Sequence, residues 1–244
     1  MKISYGHPTT SQLVDKAILE RAQNQPPRKY IGGSSLGKEC DALIWFNYKT
    51  PVNTNDPRIQ RIFDVGHALE PVVVGWLKEA GFQIYDKDEN GNQFEVKDGV
   101  MQFHIDGVIT GLPESKKPHL LEIKTAKHKR FEEYQKNGVE KSDPEYYGQV
   151  QVYMYKFNLE RCLFVMLNKD TQDLYFERIN LEKMKAKYLI ERGREIGAMN
   201  ERPERKYPSR DFYKCRWCAH RDTCWNDGGT SENTEELSAV DSSK

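Results

Sequence analysis

The sequence predicts an α/β fold, a mixed central sheet flanked by helices, with a small cap held by a cysteine-bound metal group. Three observations carry this expectation. Helix-like apolar spacing dominates the first third, short alternating segments fill the middle, and three cysteines crowd into residues 215–224. A chain of 244 residues holds one large domain, or one domain with a small appendage.

The first helix is expected over residues 9–24, ended by Gln25-Pro26-Pro27. Ser34 or Ser35 then caps a second helix running through Leu43, Ile44, Trp45 and Phe46. A longer helix over residues 58–80 stops at Gly81, and Pro71 inside it is expected to kink or divide it. Strands follow over residues 82–85, 93–96, 100–106, 108–110 and 120–125, with Gly91, Gly99, Gly111 and Pro113 in the turns. Helices over 129–136 and 144–158 come next, Pro144 suiting a first turn. Strands 161–167 and 174–179 and a charged helix over 181–200 complete the core. The expected organisation is one domain over residues 1–225, its cap formed from about 30–50 and 200–225. Residues 226–244, rich in Gly, Ser, Thr and Glu, read as a disordered tail.

Composition limits the function classes. No run approaches the length of a membrane span, and the start MKISYGHPTT lacks the apolar stretch of a secretory leader. A cytoplasmic protein is the default expectation. Lys plus Arg total 37, as do Asp plus Glu, so no overall basic excess points to nucleic acid. Local potential decides binding, and residues 116–130 carry six Lys and Arg. A solvated charged face explains such a stretch equally well.

Two segments, Phe103-His104-Ile105-Asp106-Gly107 and Leu121-Glu122-Ile123-Lys124-Thr125, read as neighbouring strands that end in charge. Side chains alternate across a strand, so Glu122 and Lys124 share a face while Ile123 enters the core. Pairing of the two strands brings Asp106 to the same rim. Clustered carboxylates call for a hard cation such as Mg2+ or Mn2+. A lysine beside it can hold a water or stabilise charge on an attacked phosphate. Glu-x-Lys alone is more commonly an ion pair at the end of a solvent-facing strand. His67 and Glu70, three apart on the preceding helix, share a face. From there the histidine can complete a metal sphere, or take an ordinary hydrogen bond in a partly buried place. Gln149 and Tyr153, four apart on a later helix, can reach a phosphate or a base, or pack in the core.

The order Gly-His-x-x-Glu, Asp-Gly, Glu-Ile-Lys and Gln-x-x-x-Tyr resembles the PD-(D/E)XK nuclease superfamily over residues 34–225. The most similar branch is that of the RecB-like exonucleases, including those associated with CRISPR adaptation. The resemblance implies a restriction-endonuclease-like core and a metal-dependent DNA exonuclease hydrolysing phosphodiester bonds from DNA ends. It implies that His67, Asp106, Glu122 and the backbone carbonyl of Ile123 bind Mn2+ or Mg2+. Lys124, with Glu122 and Asp106, is then catalytic, and Gln149 and Tyr153 meet DNA. DNA is the implied partner, together with recombination or CRISPR-adaptation proteins.

Five cysteines, Cys40, Cys162, Cys215, Cys218 and Cys224, are an odd count that argues against a disulfide framework. The late C-x2-C-x5-C spacing suits a thiolate-bound metal. Cys40 is the candidate fourth ligand, and His220 replaces it in one zinc reading; spacing alone does not separate Zn2+ from an iron–sulfur cluster. Cys162 sits in an apolar run and reads as a small core side chain. The same nuclease branch is similar in showing one early and three late cysteines. That implies a [4Fe–4S] cluster on Cys40, Cys215, Cys218 and Cys224, tying the chain ends together over the DNA path. Two other classes fit the sequence: a catalytically inactive nucleic-acid-binding or adaptor protein, and a zinc-stabilised interaction module whose Glu-x-Lys is an ion pair.

Overall fold

Helix α1 (Thr10–Gln23) begins at a reciprocal cap, in which the Thr9 hydroxyl takes the Gln12 N–H and the Gln12 side chain takes the Thr9 N–H. The computed structural model describes residues 7–54 and 56–226 and divides the chain into two compact units, Met1–Lys206 and Tyr207–Lys244. In the first unit α1 is followed by β1 (Ile31–Gly32), α2 (Gly33–Leu36) and α3 (Asp41–Lys49). The single helix expected from Ser34 or Ser35 through Phe46 is therefore two. Gly37 ends α2, and Cys40 occupies the extended cap position of α3.

Helix α4 (Pro57–Glu79) runs unbroken through Pro71, against the expectation of a division. A proline inside a helix costs about 3 kcal/mol. The buried residues Val73, Val74 and Leu77 on the following turns pack under the sheet and offset that cost.

Strands β2 (Gln83–Tyr85), β3 (Glu95–Asp98), β4 (Met101–His104), β5 (Gly107–Thr110) and β6 (His119–Ala126) precede α5 (His128–Ser142) and α6 (Pro144–Lys156). Then come β7 (Arg161–Asn168), β8 (Leu174–Asn180) and α7 (Lys183–Ala198). The main sheet has the order β2-β5-β6-β7-β8, with β6 and β7 parallel and the other pairs antiparallel. A second sheet, β1-β4-β3, stands apart from it. The mixed sheet flanked by helices is thus as the sequence predicts, but the pairing expected between residues 100–106 and 120–125 is not. Strand β4 pairs with β1 and β3, and β6 pairs with β5 and β7. Ile105 and Asp106 form the link between the two sheets.

One face of the main sheet packs on α4 through Leu121, Ile123, Leu163 and Val165. The other carries Leu120, Phe164 and Met166 into the larger core around α5 and α6. Helix α6 has no solvent face along residues 147–154, all of which are buried. Close packing there depends on glycine. A Cβ on Gly37 would lie 2.1 Å from the Glu145 carbonyl oxygen, and one on Gly148 would lie 2.9 Å from Gly37 Cα, so α2 and α6 meet backbone to backbone.

In the second unit, α8 (Tyr213–Arg216) and α9 (Arg221–Asn226) hold Cys215 and Cys224, and Cys218 lies between them. Tyr207 stacks on Phe212 with ring centroids 4.4 Å apart, and His220 is buried. The expected tail lies outside the described residues from position 227 onward. Among the described residues no helix is long and apolar enough to cross a membrane.

Candidate active site

The site grows out of the middle of β6. Alternation along the strand puts Glu122 and Lys124 on the face toward α6, and Leu121 and Ile123 on the face toward α4. Glu122 is 1% exposed, a cost that only partners can justify. Its Oε1 accepts from Gln149 Nε2 at 2.6 Å and from Lys124 Nζ. Its Oε2 is buried and has no hydrogen-bond partner. Burial raises the Glu122 carboxyl to about 7, aided by the Asp106 carboxylate and opposed by Lys124. Burial alone would lower the Lys124 pKa, but the Glu122 and Asp106 carboxylates overrule it and hold the ammonium protonated. Lys124 Nζ also stands 5.1 Å from the centre of the Tyr146 ring.

Asp106 reaches this rim from the link between the sheets. Gly107 pairs with Leu121 in the β5–β6 ladder, so Asp106 stands opposite Glu122 one step beyond it. Its Oδ2 accepts the Ile123 N–H at 2.9 Å. A residue in an extended strand sends its N–H and C=O to the same edge, so the Ile123 carbonyl leaves β6 on the Asp106 side. Gly107 is required by a close approach: a Cβ there would meet the Tyr85 carbonyl oxygen at 2.9 Å.

Helix α4 contributes Glu70, which the sequence singled out only as a neighbour of His67. Burial raises the half-buried Glu70 carboxyl to about 7, with Asp106 pushing the same way and Lys124 opposing. Glu122 also lies within its electrostatic reach. His67, one turn earlier, is exposed. The signal for Glu70 was in the sequence as the three-residue spacing on one helix face; which turn meets the rim depends on the crossing of α4 over the sheet.

Gln149 is buried against Glu122, and Tyr153 is buried with its ring against Gly33, where a Cβ would come within 2.1 Å of Tyr153 Cε1. Burial, then the Glu122 charge, holds the Tyr153 hydroxyl well above its ordinary pKa, so it stays neutral. Both side chains that the resemblance sends toward DNA thus line the inner wall of the carboxylate cluster. Cys40 is half-buried in the first unit, Cys162 is fully buried, and Cys215, Cys218 and Cys224 are half-buried in the second. Cys218 N–H donates to the Cys215 carbonyl at 3.0 Å. Among the described residues, no three His, Cys, Asp or Glu side chains are drawn together as a metal site. At the rim the chemistry of the donors nonetheless suits a divalent cation: the carboxylates of Glu70, Asp106 and Glu122 lie within electrostatic reach of one another, and one Glu122 oxygen is buried without a hydrogen-bond partner.

A family model for a YqaJ-like viral recombinase domain matches residues 28–156, the segment that holds Glu70, Asp106, Glu122, Lys124, Gln149 and Tyr153. No curated protein matches the chain in sequence. Among solved structures, the chain is similar to an alkaline exonuclease from Laribacter hongkongensis, with a TM-score of 0.53 and 18% identity over 70% of this chain and 88% of that one. A complex of that exonuclease with dAMP matches equally. The protein SSO0001 matches at a TM-score of 0.51 and 16% identity, over 90% of this chain and 98% of the other. These likenesses show a shared fold, and with the family match they establish that the chain belongs to the YqaJ-like viral recombinase domain family of PD-(D/E)XK nucleases.

Proposed function

We propose that the chain is a metal-dependent DNA exonuclease whose active site comprises Glu70, Asp106, Glu122, the Ile123 carbonyl and Lys124. The observation that carries the reading is the Glu122 carboxylate, with one oxygen held by Lys124 and Gln149 and the other buried without a partner. Leaving such an atom unsatisfied costs about 1–3 kcal/mol or more, and a divalent cation shared with Asp106 and Glu70 removes that cost. Glu70 here takes the ligand role that the resemblance gave to His67. When bound, Mg2+ or Mn2+ polarises a phosphoryl oxygen and acidifies a water.

The rest is done by the chain itself. Gln149 and Lys124 pin one Glu122 oxygen, so the other keeps a fixed direction. The Ile123 N–H pins Asp106 in the same way. The Lys124 ammonium, kept protonated by its carboxylate neighbours, faces the negative charge that develops on the attacked phosphate. Cleavage from ends is supported by the fold shared with an alkaline exonuclease.

The test uses end-labelled linear duplex and a covalently closed circle with each cation. Wild type shortens the linear DNA and spares the circle, whereas Lys124→Ala binds the linear DNA and leaves it uncut. Rapid nicking of the circle overturns end dependence, and wild-type cutting by Lys124→Ala overturns the site.

A [4Fe–4S] cluster on Cys40, Cys215, Cys218 and Cys224 is a separate proposal, supported by the C-x2-C-x5-C spacing. Anaerobically purified protein should contain iron, which Cys218→Ser loses and Cys162→Ser keeps. Zinc in place of iron would instead support the zinc reading.

A further inference from the structure

The far end of the main sheet carries a second charged site. His119 begins β6, and the strand pairing places it beside Arg161 at the start of β7, which in turn pairs with Asn180 of β8. Leu163 pairs with Arg178, so His119, Arg161, Arg178 and Asn180 all project from one face. That face is the one α4 covers further along, not the face of Glu122 and Lys124. At this end Glu114, Arg161, Arg178 and Asn180 line a cleft of about 280 Å³.

Among the lining residues two guanidiniums face one carboxylate, Glu114, with Glu160 within electrostatic reach of Arg161. Both guanidiniums spend their hydrogen bonds on neutral acceptors: Arg161 Nη1 donates to Ser115 Oγ at 2.7 Å, and Arg178 Nη1 donates to the Glu114 carbonyl at 3.3 Å. Within electrostatic reach of both lies His119, which is fully buried. Its Nδ1 meets the Lys117 carbonyl at 2.9 Å, and since a carbonyl only accepts, Nδ1 carries the hydrogen. Burial lowers the His119 pKa and both arginines push the same way, so the ring is neutral. Its Nε2 is then a bare acceptor, buried with no partner.

We infer that this cleft binds a carboxylate-bearing peptide segment of a partner protein, gripped by Arg161 and Arg178. A paired guanidinium fork matches a carboxylate or a phosphate, and the rest of the lining decides between them. Within the cleft it is Glu114 that calls for a donor, since the Asn180 backbone carbonyl already accepts from Gln151 Nε2 at 3.0 Å and His119 lies fully buried behind the lining. A peptide brings N–H groups along with its carboxylate and so can serve Glu114 as well as the arginines, whereas a phosphodiester brings acceptors alone. The volume decides the same way: about 280 Å³ is below the range of ~300–1,000 Å³ usual for small-molecule sites, and suits a side chain or two rather than a nucleotide. DNA held at the rim, on the other face and nearer the other end of β6, leaves this cleft open.

The test titrates blocked Gly-Glu-Glu-Glu-Gly into the full chain at low ionic strength, following backbone amide resonances of residues 114–117, 119, 161 and 178–180. Gly-Gln-Gln-Gln-Gly serves as the uncharged control, and 5′-phosphorylated oligothymidylate as the nucleic-acid probe. The acidic peptide should shift these resonances and the control should not. Arg161→Gln and Arg178→Glu should each weaken binding roughly tenfold or more. Arg178 is exposed and outside the rim, so Arg178→Glu should cut labelled linear DNA as wild type does, which verifies its fold independently of Arg161→Gln. Lys124→Ala should still bind the peptide, which separates this inference from the nuclease reading. Absence of binding, equal binding of the glutamine peptide, or unchanged affinity in Arg178→Glu overturns it. Shifts by the oligonucleotide that Arg178→Glu abolishes, without such an effect on the peptide, would give the cleft to nucleic acid instead.

Discussion

Asp98 and Glu122 are both partly or wholly buried carboxylates with a lysine partner, yet their surroundings drive them in opposite directions. Asp98, at the end of β3, accepts from Lys156 on α6 and from Arg194 on α7, the latter at 2.8 Å. These hydrogen bonds hold its pKa below the ordinary value against the effect of burial. Glu122 has one lysine, a second carboxylate opposite it and an oxygen with no partner, and burial raises it to about 7. The first carboxylate is satisfied and fastens two helices to a strand. The second is left short of positive charge, and that deficit marks where an external cation belongs.

The comparison is most exposed at Glu70. If the rim gathers its carboxylates for a cation, Glu70→Ala should lower the cutting rate about a hundredfold or more, measured on end-labelled duplex under saturating Mn2+. His67→Ala should change it little. The reverse ranking would return the ligand role to the histidine.

A middle-sized effect separates binding from chemistry. Anything that binds only the folded state stabilises it, by about 2.7 kcal/mol at a hundredfold excess over Kd. For a chain of this length that raises Tm by roughly 5–10 °C. Wild type should show such a rise with Mn2+, and Glu122→Gln should not. A shift retained in Glu122→Gln would place the cation elsewhere.

The smallest effect belongs to the satisfied carboxylate. Asp98→Asn should cost about 1 kcal/mol of stability, near the upper end for a partly exposed pair, and leave the cutting rate of the folded enzyme unchanged. Because the folded-state pKa of Asp98 is lowered, its contribution is present above the unfolded value and disappears as pH falls through the folded one. Acid unfolding below pH ~4 should therefore start from a smaller margin in wild type than at neutrality, and Asp98→Asn should lack this part of the pH dependence. A loss of activity in folded Asp98→Asn would blur the division between scaffold and site.

Local periodicity made most of the elements legible. The alternation that sets Glu122 and Lys124 on one face, and the helix signals around Thr9 and Pro144, are properties of a few adjacent residues. What escaped depends on contacts distant in sequence. Nothing near residues 100–106 says that β4 joins β1 and β3, because β1 lies about seventy residues earlier and is only two residues long. The break between α2 and α3 follows from the close packing of Gly37 on α6. For Gln149 and Tyr153 the sequence leaves a phosphate or base contact and core packing both open, and only the burial of residues 147–154 places them inside.

Asp106 occupies a place where chain length itself is constrained. On one side Ile105 N–H bonds to the Phe94 carbonyl, and on the other Gly107 is already paired with Leu121. Inserting or deleting a single residue between them would turn the carboxylate to the opposite side of the chain, since successive side chains alternate. Natural relatives should accordingly tolerate insertions in the 111–118 loop but preserve the count across this link. A one-residue insertion there should silence the rim without touching any catalytic side chain, a defect of phase rather than of composition.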